Sequence, residues 1–169
     1  MLVIQTGDIA VMRLKTTLAA VLALTLPLAL STTGAAQAKK AAAAKTVTLT
    51  GTDSMKFTPA TIAARPGERI KVILKTVSAL PKIAMAHNVV VLKKGTNLDA
   101  FINASATARA TDFIAPAFKK QIVAATPMAG AGETVDVTFA APSAPGRYDF
   151  VCSFPGHFAG GMRGVLVVK

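Results

Sequence analysis

"VCSFPGHFAGGMRG", Val151 to Gly164, holds the chain's single cysteine, Cys152, one of its two histidines, His157, and a methionine, Met162. Four residues separate Cys152 from His157, and four separate His157 from Met162. Pro155, Gly156, Gly160 and Gly161 let the backbone turn sharply between them. A thiol, an imidazole and a thioether are thus crowded into one turn-rich loop.

The stretches on either side of the loop read as β-strands. "PGRYDFVCSF" leads into it from a Pro-Gly turn and "GMRGVLVVK" leads out to the C-terminus. Further upstream, "TVTLTG" (46–51) alternates β-branched residues with others. "RPGERIKVILK" (65–75) places a turn before a strand whose Ile70, Val72 and Leu74 share one face. "HNVVVLKKG" (87–95) predicts another strand, and "GETVDVTFAAP" puts Val135, Val137 and Phe139 on one face. Short strands with this turn punctuation predict an all-β fold, an antiparallel Greek-key sandwich or barrel. From Asn97 to Ala125 the sequence is Ala-rich with little alternation, which predicts a short helical flap packed on the sandwich.

The N-terminus predicts export. Arg13 and Lys15 precede the apolar run "LAAVLALTLPLAL" (18–30), and Ala36-Gln37-Ala38 gives a small-residue cleavage pattern. The run is short for a membrane span and Pro27 interrupts it. The expected organisation is a signal peptide over 1–38, with Met12 as an alternative start. A tether over 39–45 and one domain over 46–169 follow, and the domain is exported, periplasmic and monomeric.

The chain carries 19 Lys and Arg against 8 Asp and Glu, a net charge of +11. The cations are scattered, tryptophan is absent and no aromatics interleave with a basic run, which argues against nucleic-acid binding. The charge fits attraction to acidic-surfaced partners. One cysteine cannot form an internal disulfide, and an exposed thiol in an oxidising compartment is a liability. Cys152 is therefore expected to be buried or occupied.

The second histidine, His87, lies in "LPKIAMAHNVVVL" (80–92), far from the loop in sequence. Two imidazoles and a thiolate with a weak axial thioether make a type 1 (blue) copper electron-transfer site. Thiolate and thioether favour Cu(I), while imidazole accepts both oxidation states.

"YDFVCSFPGHFAGGMRGVLVVK" and "LPKIAMAHNVVVL", together with "DSMKFTPATI" (53–62) and "GETVDVTF" (132–139), resemble the azurin-like blue-copper proteins of the cupredoxin family. The resemblance covers most of 46–169 and is weakest between Thr96 and Ala129. It implies one type 1 copper ion with His87, Cys152 and His157 equatorial and Met162 axial, and a long contact from the Ala86 carbonyl. It implies that Asn88 pins the copper loop, and that the Asn88 and Phe154 backbone N–H groups point at the Cys152 sulfur. His157 would be the electron port, with its ring edge near the surface. Met55, Met85, Phe154, Pro155 and Phe158 would form the apolar collar on which a partner docks. Met162 stands one residue farther from His157 than azurins place it, as in plastocyanin-like loops. The azurin disulfide has no counterpart, Val89 stands at a tryptophan position, and Thr76 lies near the position of a non-ligand histidine.

The implied function is one-electron shuttling between redox proteins, without enzymatic activity. A copper carrier or storage module using the same ligands is the alternative. Binuclear and multicopper enzymes need more cysteine or histidine than this chain has, and a Cys-His nucleophile would leave Met162 without purpose.

Overall fold

A computed structural model describes residues 43–169. The signal peptide expected over 1–38 and most of the tether expected over 39–45 lie outside the described residues. Among the described residues, nine strands form two sheets. One has the order β2-β1-β4-β7, built from Lys56–Thr58, Lys45–Thr52, Arg69–Val77 and Thr134–Ala140. The other has the order β3-β9-β8-β5-β6, built from Thr61–Ala64, Arg163–Val168, Gly146–Val151, Val90–Leu92 and Ile122–Ala125. Lys45, expected at the end of the tether, opens β1 instead.

The alternation of β4 explains its place at the centre of the first sheet. Ile70, Val72 and Leu74 are fully buried, while Ile73 on the opposite face is only partly covered. β4 starts from a turn that the sequence specifies. Gly67 adopts a positive φ of 71°, the Glu68 N–H donates to the Arg65 carbonyl (3.0 Å), and the Glu68 carboxylate accepts from the Arg65 N–H (2.8 Å). β4 pairs with β1 in parallel, setting Lys45 opposite Ile70 and Gly51 opposite Thr76. The facing sheet contributes Phe150 and Leu166 to the same core. Phe57 of β2 packs on Phe150 with ring centroids 5.4 Å apart, so Phe57 is core.

Three further expectations are corrected. The sandwich is mixed and not wholly antiparallel, since β1 pairs with β4, and β3 with β9, in parallel. The strand expected to begin at His87 is confined to Val90–Leu92, because His87 makes an isolated bridge to Ala129 instead. The flap expected to run helically to Ala125 ends earlier: Ile122–Ala125 is β6, paired with β5. The rest of that segment is one α-helix, α1, Leu98–Ser105, and two short 3-10 turns, Arg109–Thr111 and Pro116–Gln121. Asn97 caps α1 by accepting from the Ala100 N–H at 3.0 Å. Phe101 of α1 is fully buried with Val90, Leu92 and Val151 in a second small core outside the sandwich.

Replacing Leu74 by Ala should lower the unfolding free energy by about 2–5 kcal/mol. Ile73→Ala, on the outer face, should cost less, and equal losses in denaturant titrations would contradict the packing described.

Candidate metal centre

Two segments converge at the end of the sandwich where β8 stops. β8 delivers Cys152 directly, since Val151 is still paired with Arg163. The loop that follows closes on itself. The His157 N–H donates to the Phe154 carbonyl (3.1 Å), the Met162 N–H to the His157 carbonyl (2.9 Å) and the Cys152 N–H to the Met162 carbonyl (3.0 Å). This tight path requires the positive φ of Gly156 and Gly161, 85° and 90°.

His87 arrives from the other segment. Its N–H donates to the Ala129 carbonyl and its carbonyl accepts from the Ala129 N–H, both at 2.8 Å. The Thr76 hydroxyl holds that same Ala129 carbonyl at 3.3 Å, so Thr76 has a structural task in this fold.

The result is a cluster of His87, Cys152 and His157, all buried, whose ligand atoms lie within 4.8 Å of one another. The two Nδ1 atoms face each other at 3.1 Å, and Cys152 Sγ lies 3.5 Å from His157 Nδ1. The Ala86 carbonyl sits at the edge, 3.9 Å from Sγ. Met162 is fully buried against the same cluster: a Cβ added at Gly51 would fall 2.9 Å from both Met162 Cε and His87 Cδ2. His157 is 3% exposed, more covered than the surface ring expected.

Electrostatics make this a dry, uncharged donor set. Burial pushes the Cys152 thiol up to about 12, against the opposing pull of the Asn88 and Phe154 backbone N–H groups. Burial, and then the nearby His87, push His157 down to about 4. Burial lowers His87 as well, with Asp53 acting weakly in the opposite direction. Two neutral imidazoles and a thiol at contact distance, with lone pairs turned on one point, fit a soft to borderline cation such as copper.

The loop is pinned by Asn88. Its side-chain oxygen accepts from the Ser153 N–H at 2.9 Å and from the Ser153 hydroxyl at 3.2 Å, while its amide group lies 2.8 Å from that hydroxyl and donates to the Asp112 carbonyl at 3.2 Å. His87 lacks a comparable tie: its Nε2 is buried without a hydrogen-bond partner. Packing against Gly51 and Met162 therefore orients the ring, where a hydrogen bond to the second nitrogen commonly does so.

Around the site, Phe154 stacks obliquely on His157, with centroids 4.7 Å apart. Met55 covers the loop closely enough that a Cβ at Gly160 would strike its sulfur. Phe154 and Phe158 are half-buried and Pro155 is exposed, while Met85 is half-buried on the turn before His87.

Sequence reasoning missed three contributors. Gly51 leaves room for two of the site's side chains, and a glycine inside a strand pattern was the available signal. Phe113, from the Ala-rich insert, packs edge-on against Phe154 at 5.3 Å. Ile83 is 70% exposed beside the loop and lines an open cleft of about 730 Å³ with Phe113, Phe154 and Pro155.

Comparison with known proteins agrees with this geometry. The family described as copper binding proteins, plastocyanin/azurin family, matches residues 43–169. Azurin from Alcaligenes faecalis is 35% identical over 116 residues, covering 67% of this chain and 90% of that protein. Auracyanin-B from Chloroflexus aurantiacus is 39% identical over 87 residues, 51% of this chain but only 37% of that longer protein. Among solved structures, auracyanin A from Chloroflexus aurantiacus, described as a blue copper protein, superposes with a TM-score of 0.65 at 32% identity, covering 75% of this chain and all of that one.

Two outcomes are expected. At pH 7 copper binding should release about one proton, from Cys152, because both imidazoles are already neutral. Release should increase as pH falls through about 4 and His157 becomes protonated in the free protein; calorimetry in buffers of different ionisation enthalpy measures it. Gly51→Ala should weaken copper binding by about tenfold or more through displacement of His87 and Met162, with the β-sheet circular dichroism retained.

Proposed function

The chain belongs to the plastocyanin/azurin family of copper-binding proteins, and on that premise we propose that it is an exported one-electron carrier that works between redox proteins. The observation that carries this reading is the convergence of His87, Cys152 and His157 in one buried, uncharged pocket. Those three residues would hold a single type 1 copper ion, with the Met162 thioether as a weaker donor and the Ala86 carbonyl nearby. Bound copper supplies a Cu(I)/Cu(II) couple.

The chain's own residues make that couple fast and selective. The loop's backbone bonds and the Asn88–Ser153 pair fix the donors before the ion arrives, so little rearrangement accompanies a change of charge. Asn88 and Phe154 direct backbone N–H groups at the sulfur and tune its donor strength. Phe154, Met55 and the fully buried Met162 exclude water. His157, beneath a thin apolar collar, is the route out. Met55, Met85, Pro155 and Phe158 form the surface on which a partner, acidic in charge, docks. Protein groups would surround the ion and leave no open position for a substrate, so the domain acts as a carrier and not an enzyme. The sequence 1–38 is its export signal, the destination is the periplasm and the domain is a monomer.

The test is electron self-exchange of the copper-loaded protein, set beside transfer of Cu(I) to a competing chelator. Fast exchange with slow copper loss is expected. Rapid copper loss with negligible exchange would identify a carrier of copper instead. Met162→Leu should keep copper bound and raise the reduction potential; loss of copper in that variant would make Met162 a principal ligand.

A further inference from the structure

The metal centre occupies one end of the sandwich, and the opposite end is built of cations. Lys45 opens β1 beside Ile70, which places it next to Arg69, and its ammonium donates to the Ala63 carbonyl of β3 at 2.6 Å. Arg65 and Lys169 join Lys45 around a shallow open cleft. Glu68, the carboxylate there, already accepts from the Arg65 N–H.

The charge continues across the second sheet. Arg147 lies on β8 opposite Val167, and the Lys94 side chain reaches toward Gly146 at the start of that strand. The Lys93 N–H donates to the Gln121 carbonyl at 2.7 Å, which brings Lys119 and Lys120 of the preceding 3-10 turn alongside. All these cations are exposed. The ion pairs found among the described residues, Lys71–Asp136 and Lys82–Glu133, use none of them. Asp99, at the start of α1, and Asp149, two residues after Arg147 on β8, are the other carboxylates on these segments.

β8 separates the two ends. It runs from Gly146 at the basic end to Val151 beside Cys152, six residues or about 20 Å. The described chain also enters at the basic end, through Ala43 and Ala44.

We propose that this basic end docks on an anionic lipid bilayer, leaving the copper loop facing away from the membrane toward its redox partner. Lysines spread over a whole end of the molecule suit a sheet of like charges better than a single anion. The outward-facing loop rests on the metal centre proposed above, whereas the lipid docking does not, so failure to bind copper would leave the docking result standing.

The test is co-sedimentation of the full-length chain with vesicles at low salt. Phosphatidylglycerol mixed into phosphatidylcholine should bind it at least about tenfold more tightly than phosphatidylcholine alone, and roughly 0.5 M salt should abolish the difference. Insertion of the apolar segment would favour both vesicles alike. Combining Lys93→Gln, Lys94→Gln, Lys119→Gln and Lys120→Gln should remove most of the preference, while Lys56→Gln with Arg163→Gln, at the metal end, should leave it intact. Circular dichroism checks that each variant is folded. Equal binding to both vesicles, or a preference that survives the four lysine substitutions, would overturn the proposal. So would equal loss from the metal-end pair.

Discussion

The structure turns on holding a thiol and two imidazoles together in a dry place. Bringing polar donors out of water is unfavourable unless something else satisfies them. Here the donors partly satisfy one another, through the Nδ1–Nδ1 contact at 3.1 Å and the sulfur at 3.5 Å. The surrounding protein holds that arrangement from three sides. β8 and the self-closed loop position Cys152, His157 and Met162, the Ala129 bridge positions His87, and Asn88 ties the two segments through Ser153. Each buried hydrogen bond of that tie contributes about 1 kcal/mol, and its geometric effect exceeds its energy because it connects segments 65 residues apart in sequence.

The Ala-rich insert takes part in the same support. Asp112 offers its carbonyl to Asn88 and its carboxylate to the Met128 N–H (3.4 Å), and Phe113 braces Phe154. The insert is thus built onto the centre, as an outer wall for the loop. His87 follows a different rule. With no partner for Nε2, its orientation depends on the space left by Gly51, which the Met162 side chain shares.

Much of this could be read from the sequence because it is local. Ile70, Val72 and Leu74 announce a buried face by their spacing, and Cys152, His157 and Met162 lie in one short loop. Scarcity helped with His87, since there is only one other histidine to pair with it. What escaped was non-local or lay against local preference. Ile122–Ala125 reads as the tail of an Ala-rich helix and becomes a strand because β5 offers an open edge. Residues 87–89 read as strand, yet His87 turns aside to bridge Ala129. The value of Gly51 depends on side chains that reach it from residues 87 and 162, which no local pattern encodes.

The central claim is that Cys152, with His87 and His157, forms one type 1 copper site. An optical and EPR spectrum of the full chain after addition of Cu(II) tests it most directly, with Cys152→Ser in parallel. Intense blue absorption and narrow copper hyperfine splitting, both lost in the serine variant, are the expected result. A pale protein with ordinary Cu(II) hyperfine, or a blue colour that survives Cys152→Ser, would contradict it.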